Sequence, residues 1–194
     1  MRDRAAFITR NLTLQTVEGV ALYQAHARSR LSRLGDVPPY WAYVWAGGAA
    51  LARHVTETGM ARGQRVLDFG AGSGIVGIAA AKAGAAEVWA DEPDPWARAA
   101  IGLNAAANAV AVGFGAAPVD LLLCGDVFYS ADVAATVLPV LDDWRARGIP
   151  VLIGDPGRAA LPRTRLHLVA EYSVHDMGDA PDKLTMTGVY DYQP

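Results

Sequence analysis

Short apolar runs alternate with longer alanine-rich stretches from residue 65 to residue 190. The short runs predict strands, and the stretches with apolar residues at three- and four-residue spacing predict helices. The predicted strands lie at 65–69, 87–91, 110–114, 119–124, 150–154, 166–172 and 184–190, and the predicted helices at 49–58, 75–83, 94–108 and 132–147. This alternation indicates an α/β fold with a doubly wound, mostly parallel seven-strand sheet that is covered by helices on both faces.

The first 39 residues lack this regular alternation. Apolar and polar residues alternate between residues 12 and 20, which predicts short strands within an irregular cap. We therefore divide the chain into an N-terminal extension at 1–39 and a main domain at 40–194. The main domain opens with closely spaced aromatic residues, Tyr40, Trp41, Tyr43 and Trp45. We expect them either to pack under the sheet or to wall a pocket.

Composition narrows the class of protein. The chain has 194 residues, of which 52% are hydrophobic and 19% are charged, so it is long and apolar enough for one globular domain. No apolar run reaches the length of a membrane span, and the start of the chain lacks a secretory segment, so we expect a cytoplasmic protein that does not enter a membrane.

A formal net charge of −3 offers no general attraction for nucleic acid. Arg28, Arg30 and Arg33 form a local basic stretch, which fits either a solvated face or contact with an acidic protein. The four histidines have no metal-ligand spacing with one another or with Cys124, so no metal is predicted. Cys124 follows three leucines and is interpreted as a small core residue, with a catalytic thiol as the less favoured alternative.

Chemistry is indicated first by a glycine-rich loop. An apolar strand ends at Asp68 and continues into Gly70, Gly72 and Gly74. Glycine permits positive φ and lets a ligand approach the backbone, and the next helix adds the positive end of its dipole. A nucleotide-like cofactor is the favoured occupant, and a tight turn without a ligand is the alternative. The dinucleotide fingerprint would need a third glycine where the chain has Ile75, which argues against a dehydrogenase.

Two acids end the next predicted strand. Glu92 follows Gly74 by 18 residues, close to the spacing at which a βαβ unit places an acid against ribose hydroxyls. Glu92 is the first choice for this role and Asp91 the second. The alternative is that both are solvated acids before a turn.

Asp126 and Tyr129 follow the strand predicted at 119–124, at the edge of the sheet where an acceptor is expected. A carboxylate there can orient an amine and take its proton, and the phenol of Tyr129 can donate or accept a hydrogen bond. The alternative for Asp126 is an N-cap of the following helix.

The G-x-G-x-G loop with Asp68 two residues ahead of it resembles motif I of the class I, seven-strand methyltransferases that use S-adenosylmethionine. The resemblance implies that fold and that cofactor. It also implies that Asp68 orients the methionine part of the cofactor and that Gly70, Gly72 and Gly74 lie close to it.

Further segments resemble the electron transfer flavoprotein beta-subunit lysine methyltransferase family and its bacterial relatives. They are Pro39 to Gly48, Asp94-Pro95, Asn104, Asn108, Gly125 to Tyr129 and Gly154 to Pro162. The resemblance implies a protein substrate with an accessible lysine, for example electron transfer flavoprotein beta subunit or a ribosomal protein. It further implies that Trp45 lines the cofactor pocket, that Asp126 and Tyr129 serve the lysine, and that Asp155 and Arg158 shape the substrate side, although a turn explains Asp155 equally well.

One departure concerns the third predicted strand. Relatives usually carry an acid after this strand, near the adenine, and then a linker, whereas here residue 114 runs almost directly into Asp120. The two expectations are that backbone groups and Phe114 hold adenine instead, or that the affinity for the cofactor is weak. A small-molecule methyltransferase and a catalytically silent interaction domain remain as alternative functions. Methylation of nucleobases is disfavoured because the element at Asp126 lacks the two prolines typical of those enzymes.

Overall fold

A computed structural model describes residues 2–26, 28–29, 31, 38–115, 117–178, 180 and 182–194. The described part of the N-terminal extension contains helix α1 (Arg2–Asn11) and an antiparallel hairpin of β1 (Thr13–Val17) and β2 (Val20–Gln24). The short strands agree with the sequence prediction, but α1 was not predicted. Ile8 of α1 and Leu12, directly after it, belong to one buried apolar cluster with Ala97 and Ala100 of a helix far along the chain, so the stability of α1 depends on tertiary contact. Arg30 and Arg33 of the basic stretch lie outside the described residues.

The remaining elements alternate as predicted from residue 46 onward. In chain order they are α2 (Ala46–Thr58), β3 (Arg65–Phe69), α3 (Ile75–Lys82), β4 (Glu87–Asp91), α4 (Pro95–Ala107), β5 (Gly113–Phe114), β6 (Leu121–Gly125), α5 (Ala131–Ala146), β7 (Val151–Asp155), β8 (Leu166–Val174) and β9 (Thr185–Tyr192). The strand predicted at 110–114 is reduced to two residues. The other six predicted strands overlap the observed ones, most within two residues of their ends.

Seven strands form one sheet in the order β5-β4-β3-β6-β7-β9-β8. The first five strands are parallel to one another, and β9 runs antiparallel to both β7 and β8. The order reverses between β3 and β6, so the crevice at the carboxyl ends of these two strands is the expected ligand site of such a sheet. The predicted mostly parallel, doubly wound sheet is therefore confirmed.

Alternate residues of the central strands face two different apolar layers. Val66, Leu121 and Leu123 pack with α2 and α3 on one face. Leu67, Leu122 and Cys124 pack with α5 on the other, which gives each strand the two-residue period of a sheet buried on both faces. Cys124 is fully buried, as its interpretation as a core residue requires.

The two faces are not covered equally. Helices α2, α3 and α4 contribute to the layer on one face, whereas α5 is the helix that packs on the other in the described part of the chain. Trp89 of β4 lies on this second face in register with Leu67 and remains partly exposed. The sequence predicts helices on both faces of the sheet. On the second face the helical layer is thinner over β4 and β5, because the chain passes from β5 to β6 without an intervening helix.

The caps of two helices follow from sequence. Asp94 accepts a hydrogen bond from the Trp96 amide at 2.8 Å and is followed by Pro95, which favours the first helical position of α4. Ser130 accepts from the Val133 amide at 3.3 Å and caps α5. The N-cap of α5 is thus Ser130 rather than Asp126. Within the described residues, no helix combines the length and the apolarity that a bilayer crossing requires.

Candidate active site

A cleft with a volume of about 520 Å³ opens at the carboxyl ends of β3, β4 and β6. It exceeds the shallow depressions beside Gly113 and Lys82, of about 380 and 370 Å³. Most of the predicted site residues meet here: the lining includes Trp45, Gly70, Gly72, Glu92, Asp126 and Tyr129, together with Tyr40, Arg158 and the apolar residues Phe69, Val127, Val133 and Val137. The cleft therefore joins a polar floor to an apolar wall.

The glycine loop has the conformation that its sequence predicts. Gly70, Gly72 and Gly74 have φ angles of 66°, 53° and 80°, a region that residues with a Cβ rarely adopt. Gly70 and Gly72 line the cleft. Gly74 does not; a Cβ there would lie 3.1 Å from the side chain of Ile101, so this glycine lets α3 begin close to α4. Two of the three glycines thus leave backbone open to a ligand.

Asp68 lies beneath the loop and does not line the cleft. Its side chain is buried, and Oδ2 accepts a hydrogen bond from the Gly77 amide at 2.8 Å in the first turns of α3. Burial raises the pKa of Asp68 to about 7; the charge of Glu92 adds to this, and the bond from Gly77 opposes it. Asp68 fixes the helix that follows the loop, and its direct contact with a cofactor stays a prediction.

The structure separates the two candidate acids after β4. Glu92 lines the cleft, where Oε2 accepts from the Gly72 amide at 2.9 Å and Oε1 from the Asp94 amide at 2.9 Å. Burial raises the pKa of Glu92. The Asp91 side chain is exposed and lies outside the lining, so the second-choice acid is not brought to the site. A carboxylate has about four acceptor positions, which leaves Glu92 room for ribose hydroxyls.

Asp126 lies at the floor of the cleft in an unusual backbone conformation, with a φ of 57°. Its Oδ2 accepts from the Gly48 amide at 2.8 Å, and its Oδ1 accepts from Arg158 Nε at 3.1 Å and from a terminal nitrogen of Arg158 at 2.6 Å. Burial raises the pKa of Asp126 to about 6, although Arg158 and the Gly48 amide act in the opposite direction. The carboxylate forms an ion pair with Arg158, and Oδ2 has an acceptor position besides the one that the Gly48 amide occupies.

Asp126 is held here because two pieces of backbone touch. A Cβ on Gly47 would lie 2.2 Å from the Gly154 carbonyl oxygen, and a Cβ on Gly125 would lie 2.7 Å from Gly48 Cα. The first turn of α2 can cross the ends of β6 and β7 at this distance only because these positions are glycine. The crossing brings the Gly48 amide onto Asp126.

Three aromatic rings surround the mouth of the cleft. The Tyr40 ring lies 5.8 Å from the Trp45 ring and 5.7 Å from the Tyr129 ring, measured between centroids. Tyr40 and Tyr129 are 47% and 57% exposed, so an incoming group meets them first. Trp41 also lines the cleft and is buried in the cluster of α1 and α4. Both tryptophans of the aromatic segment thus wall the pocket, which is the second of the two expectations.

Two parts of the site were missed or misassigned by sequence reasoning. Asp176, from the segment between β8 and β9, accepts from the Ala46 amide at 3.0 Å and lies 3.7 Å from Arg158. No local sequence pattern marks Asp176.

Phe114, the predicted adenine contact, does not line the cleft. Its ring packs against Arg98, whose Cζ lies 4.8 Å from the ring centroid. Among the described residues, no cluster of histidine, cysteine and acids is arranged to hold a metal.

The residues present fit S-adenosylmethionine. Gly70 and Gly72 offer backbone without side chains, and Glu92 keeps acceptor capacity for ribose. Phe69, Val127, Val133 and Val137 provide an apolar wall suited to a flat base. A seven-strand sheet with this glycine loop and cleft defines the class of S-adenosylmethionine-dependent methyltransferases.

Comparison with known proteins agrees with this class. Residues 49–134 match the family model of ribosomal protein L11 methyltransferase (PrmA). The solved ribosomal protein L11 methylase of Lactobacillus delbrueckii subsp. bulgaricus has a TM-score of 0.52 at 21% identity, over 74% of this chain and 77% of its own. Magnesium protoporphyrin IX methyltransferase of Synechocystis PCC 6803, solved with bound S-adenosylmethionine, has a TM-score of 0.53 at 14% identity, over 74% and 76%. At these identities the structures establish the shared fold.

Sequence relatives identify the family. Electron transfer flavoprotein beta subunit lysine methyltransferase of Rattus norvegicus is 35% identical over 176 residues, which cover 80% of this chain and 68% of the relative. The protein of the same name from Xenopus laevis is 38% identical over 176 residues, covering 80% and 70%. The chain belongs to the electron transfer flavoprotein beta subunit lysine methyltransferase family.

Proposed function

We propose that the protein is a protein-lysine N-methyltransferase, with electron transfer flavoprotein beta subunit or a ribosomal protein as substrate. The observation that carries the proposal is the position of Asp126, whose buried carboxylate pairs with Arg158 on the floor of the cleft that the glycine loop also lines. The names of the sequence relatives support lysine and a flavoprotein subunit as the target. The family model supports a ribosomal protein as the alternative target.

S-adenosylmethionine, when bound, supplies an electrophilic methyl group on a sulfonium. Gly70, Gly72 and Glu92 would hold it, and the apolar wall would receive its base. The acceptor must be a neutral amine, whereas a free lysine side chain has a pKa near ~10.4. Asp126 would accept an N–H of the amine on the open position of Oδ2 and take up the proton released on transfer, directly or through water.

The rim of the cleft would complete the site. Tyr40, Trp45 and Tyr129 form a narrow aromatic entrance that suits the long apolar stem of lysine and keeps bulk water away from the amine. The products are a methylated lysine and S-adenosylhomocysteine. We further propose a cytoplasmic location and a protein rather than a nucleic acid partner, the latter because of the net charge of −3.

The test is transfer of a labelled methyl group to purified electron transfer flavoprotein beta subunit and to ribosomal proteins, followed by mass spectrometry of the modified lysine. Asp126→Asn should abolish transfer, because the amide cannot accept the proton. Asp132→Asn is the matched control, since Asp132 lies close in sequence but is exposed outside the cleft. Equal transfer by Asp126→Asn would remove Asp126 from the reaction. Label that appears instead in a protein-free metabolite extract would favour a small-molecule methyltransferase.

A further inference from the structure

Arg158 lies at the centre of the polar floor of the cleft. Its guanidinium donates two hydrogen bonds to Asp126 Oδ1, lies 3.7 Å from Asp176 Oδ2 and is centred 5.5 Å from the Trp45 ring. We propose that Arg158 is a positioning residue that keeps the Asp126 carboxylate ionised and aimed into the cleft. The kinetic part of this inference rests on the proposed function, whereas the structural part does not.

The hydrogen bonds fix the two oxygens of Asp126 from opposite sides. Oδ2 is held by the Gly48 amide in the first turn of α2, and Oδ1 is held by two nitrogens of one guanidinium. Such a pair leaves the carboxylate one orientation, with the unused position on Oδ2 as its open acceptor. Without Arg158, Oδ1 would have no partner among the contacts described, and the Gly48 amide alone would hold a carboxylate that is only 9% exposed.

The charges around Asp126 show why a cation is required there. Burial favours the neutral acid, and Asp155 at the end of β7 adds a second negative charge. The Gly48 amide and Arg158 oppose these effects, and Asp176 faces Arg158 from the segment between β8 and β9. Among these groups Arg158 carries the positive charge. Its removal would leave the buried Asp126 carboxylate with the negative charge of Asp155 nearby and no cation among these groups, and Asp126 would take up a proton.

Arg158 is itself held in place by groups from three parts of the chain. Its backbone amide donates to Asp155 Oδ1 at 2.7 Å, and its guanidinium lies against the Trp45 ring. The guanidinium also forms an ion pair with a second carboxylate, that of Asp176. Asp176 also binds the Ala46 amide, at the start of the helix that supplies Gly48. The guanidinium is therefore a fixed charge rather than a mobile surface group, and its side chain is only 22% exposed.

The test is a pH titration of the Asp126 carboxyl carbon by ¹³C NMR, assigned by the signal that is missing in Asp126→Asn. Arg158→Gln should raise the pKa of Asp126 by about 1 to 3 units, the usual effect of losing an adjacent guanidinium. Arg158→Lys keeps the charge but cannot form both bonds, so a smaller rise is expected. Arg163→Gln is the matched control, because Arg163 belongs to the same segment but donates to the Gly157 carbonyl. It should leave the titration unchanged.

An Asp126 titration in Arg158→Gln that matches the wild type would overturn the proposal. If that variant does not fold, Arg158→Lys decides in its place, and an unchanged titration there has the same meaning. This readout needs no substrate, so failure to methylate lysine would refute the proposed function and leave the titration as a separate result. With an active substrate, the acid limb of kcat/KM should move to higher pH in Arg158→Gln, a change that the loss of a merely structural contact would not produce.

Discussion

Alanine substitution should have opposite effects on stability at two helical glycines. One lies where α2 crosses the sheet closely, and the other faces open space. In Gly47→Ala, the new Cβ would lie 2.2 Å from the Gly154 carbonyl oxygen and 2.6 Å from Asp126 Oδ2, far inside the 3.4 Å at which ordinary contact begins. The backbone atom cannot rotate away as a side chain would, so α2 must shift by about 1 Å. Overpacking of this kind costs about 1 to 3 kcal/mol, and the better helix propensity of alanine recovers at most ~1 kcal/mol.

Because the clash is with a backbone atom, we place the cost in the upper half of that range. After the gain in helix propensity is subtracted, Gly47→Ala should lower the free energy of unfolding by about 1 to 2 kcal/mol. For a chain of this length, that corresponds to a fall in Tm of about 2 to 8 °C. Gly102→Ala is the matched control, since Gly102 lies within another helix of 13 residues, is exposed, and would place its new Cβ in open space with no neighbouring atom within 4 Å. It should gain about 0.5 to 1 kcal/mol, because alanine is the better helix former.

Thermal unfolding followed by circular dichroism, without cofactor, measures both changes. The reasoning is refuted if Gly47→Ala is as stable as the wild type, or if the two variants shift Tm in the same direction by similar amounts. Either result would mean that α2 has room to move away from β7. If Gly47→Ala is destabilised but still folded, methyl transfer should fall as well, since Asp126 Oδ2 lies on the path of the new methyl group.

Three further predictions concern individual acids. Glu92→Gln should weaken calorimetric binding of S-adenosylhomocysteine by about 10-fold or more, the effect of losing charge-assisted hydrogen bonds, whereas Asp91→Asn should not; equal losses would restore Asp91 to the site. Asp68 has a folded pKa of about 7, against ~3.9 for an unfolded aspartate, so the unfolded chain ionises first and stability falls as pH rises from about 4 to 7. Asp68→Asn should remove this slope in Tm measured against pH, and parallel slopes would contradict it. Hydrogen bonds and charge from Arg65 hold the pKa of Asp120 at about 2, so Asp120→Asn should be less stable than the wild type at pH 7, and the gap should close between about pH 4 and 2. A gap that is independent of pH would be evidence against the ion pair.

Part of the fold could be predicted because its signals are local. The strands at β3, β4 and β7 are apolar runs bounded by turn residues, and their predicted limits differ from the observed ones by no more than one residue. β5 was predicted too long because most of the residues before Gly113 do not pair with a neighbouring strand. α1 was missed because its few apolar residues have a partner only once α4 is folded against them.

The candidate site divides in the same way. Spacing after the glycine loop indicated Glu92, and the end of a strand indicated Asp126 and Tyr129, because parallel strands bring their carboxyl ends to one edge. Spacing alone did not decide between Glu92 and Asp91. Both acids have nearly the same distance from the glycine loop along the chain, and only the backbone conformation decides which side chain enters the cleft. The role of Asp176 had no local signal, because its partners Ala46 and Arg158 belong to distant parts of the chain.

The sequence by itself determined the features that depend on neighbouring residues. Glycine at positions 70 and 72 permits the positive φ of the loop, and Asp94 and Ser130 cap the helices that follow them, because these are interactions over a few residues. The tertiary structure alone decided the contact of Gly47 with Gly154 and the hydrogen bonds between Arg158 and Asp126. Such contacts depend on how the helices and strands pack in space. The residues that form them are far apart in the sequence, so no periodic pattern of residues reveals them.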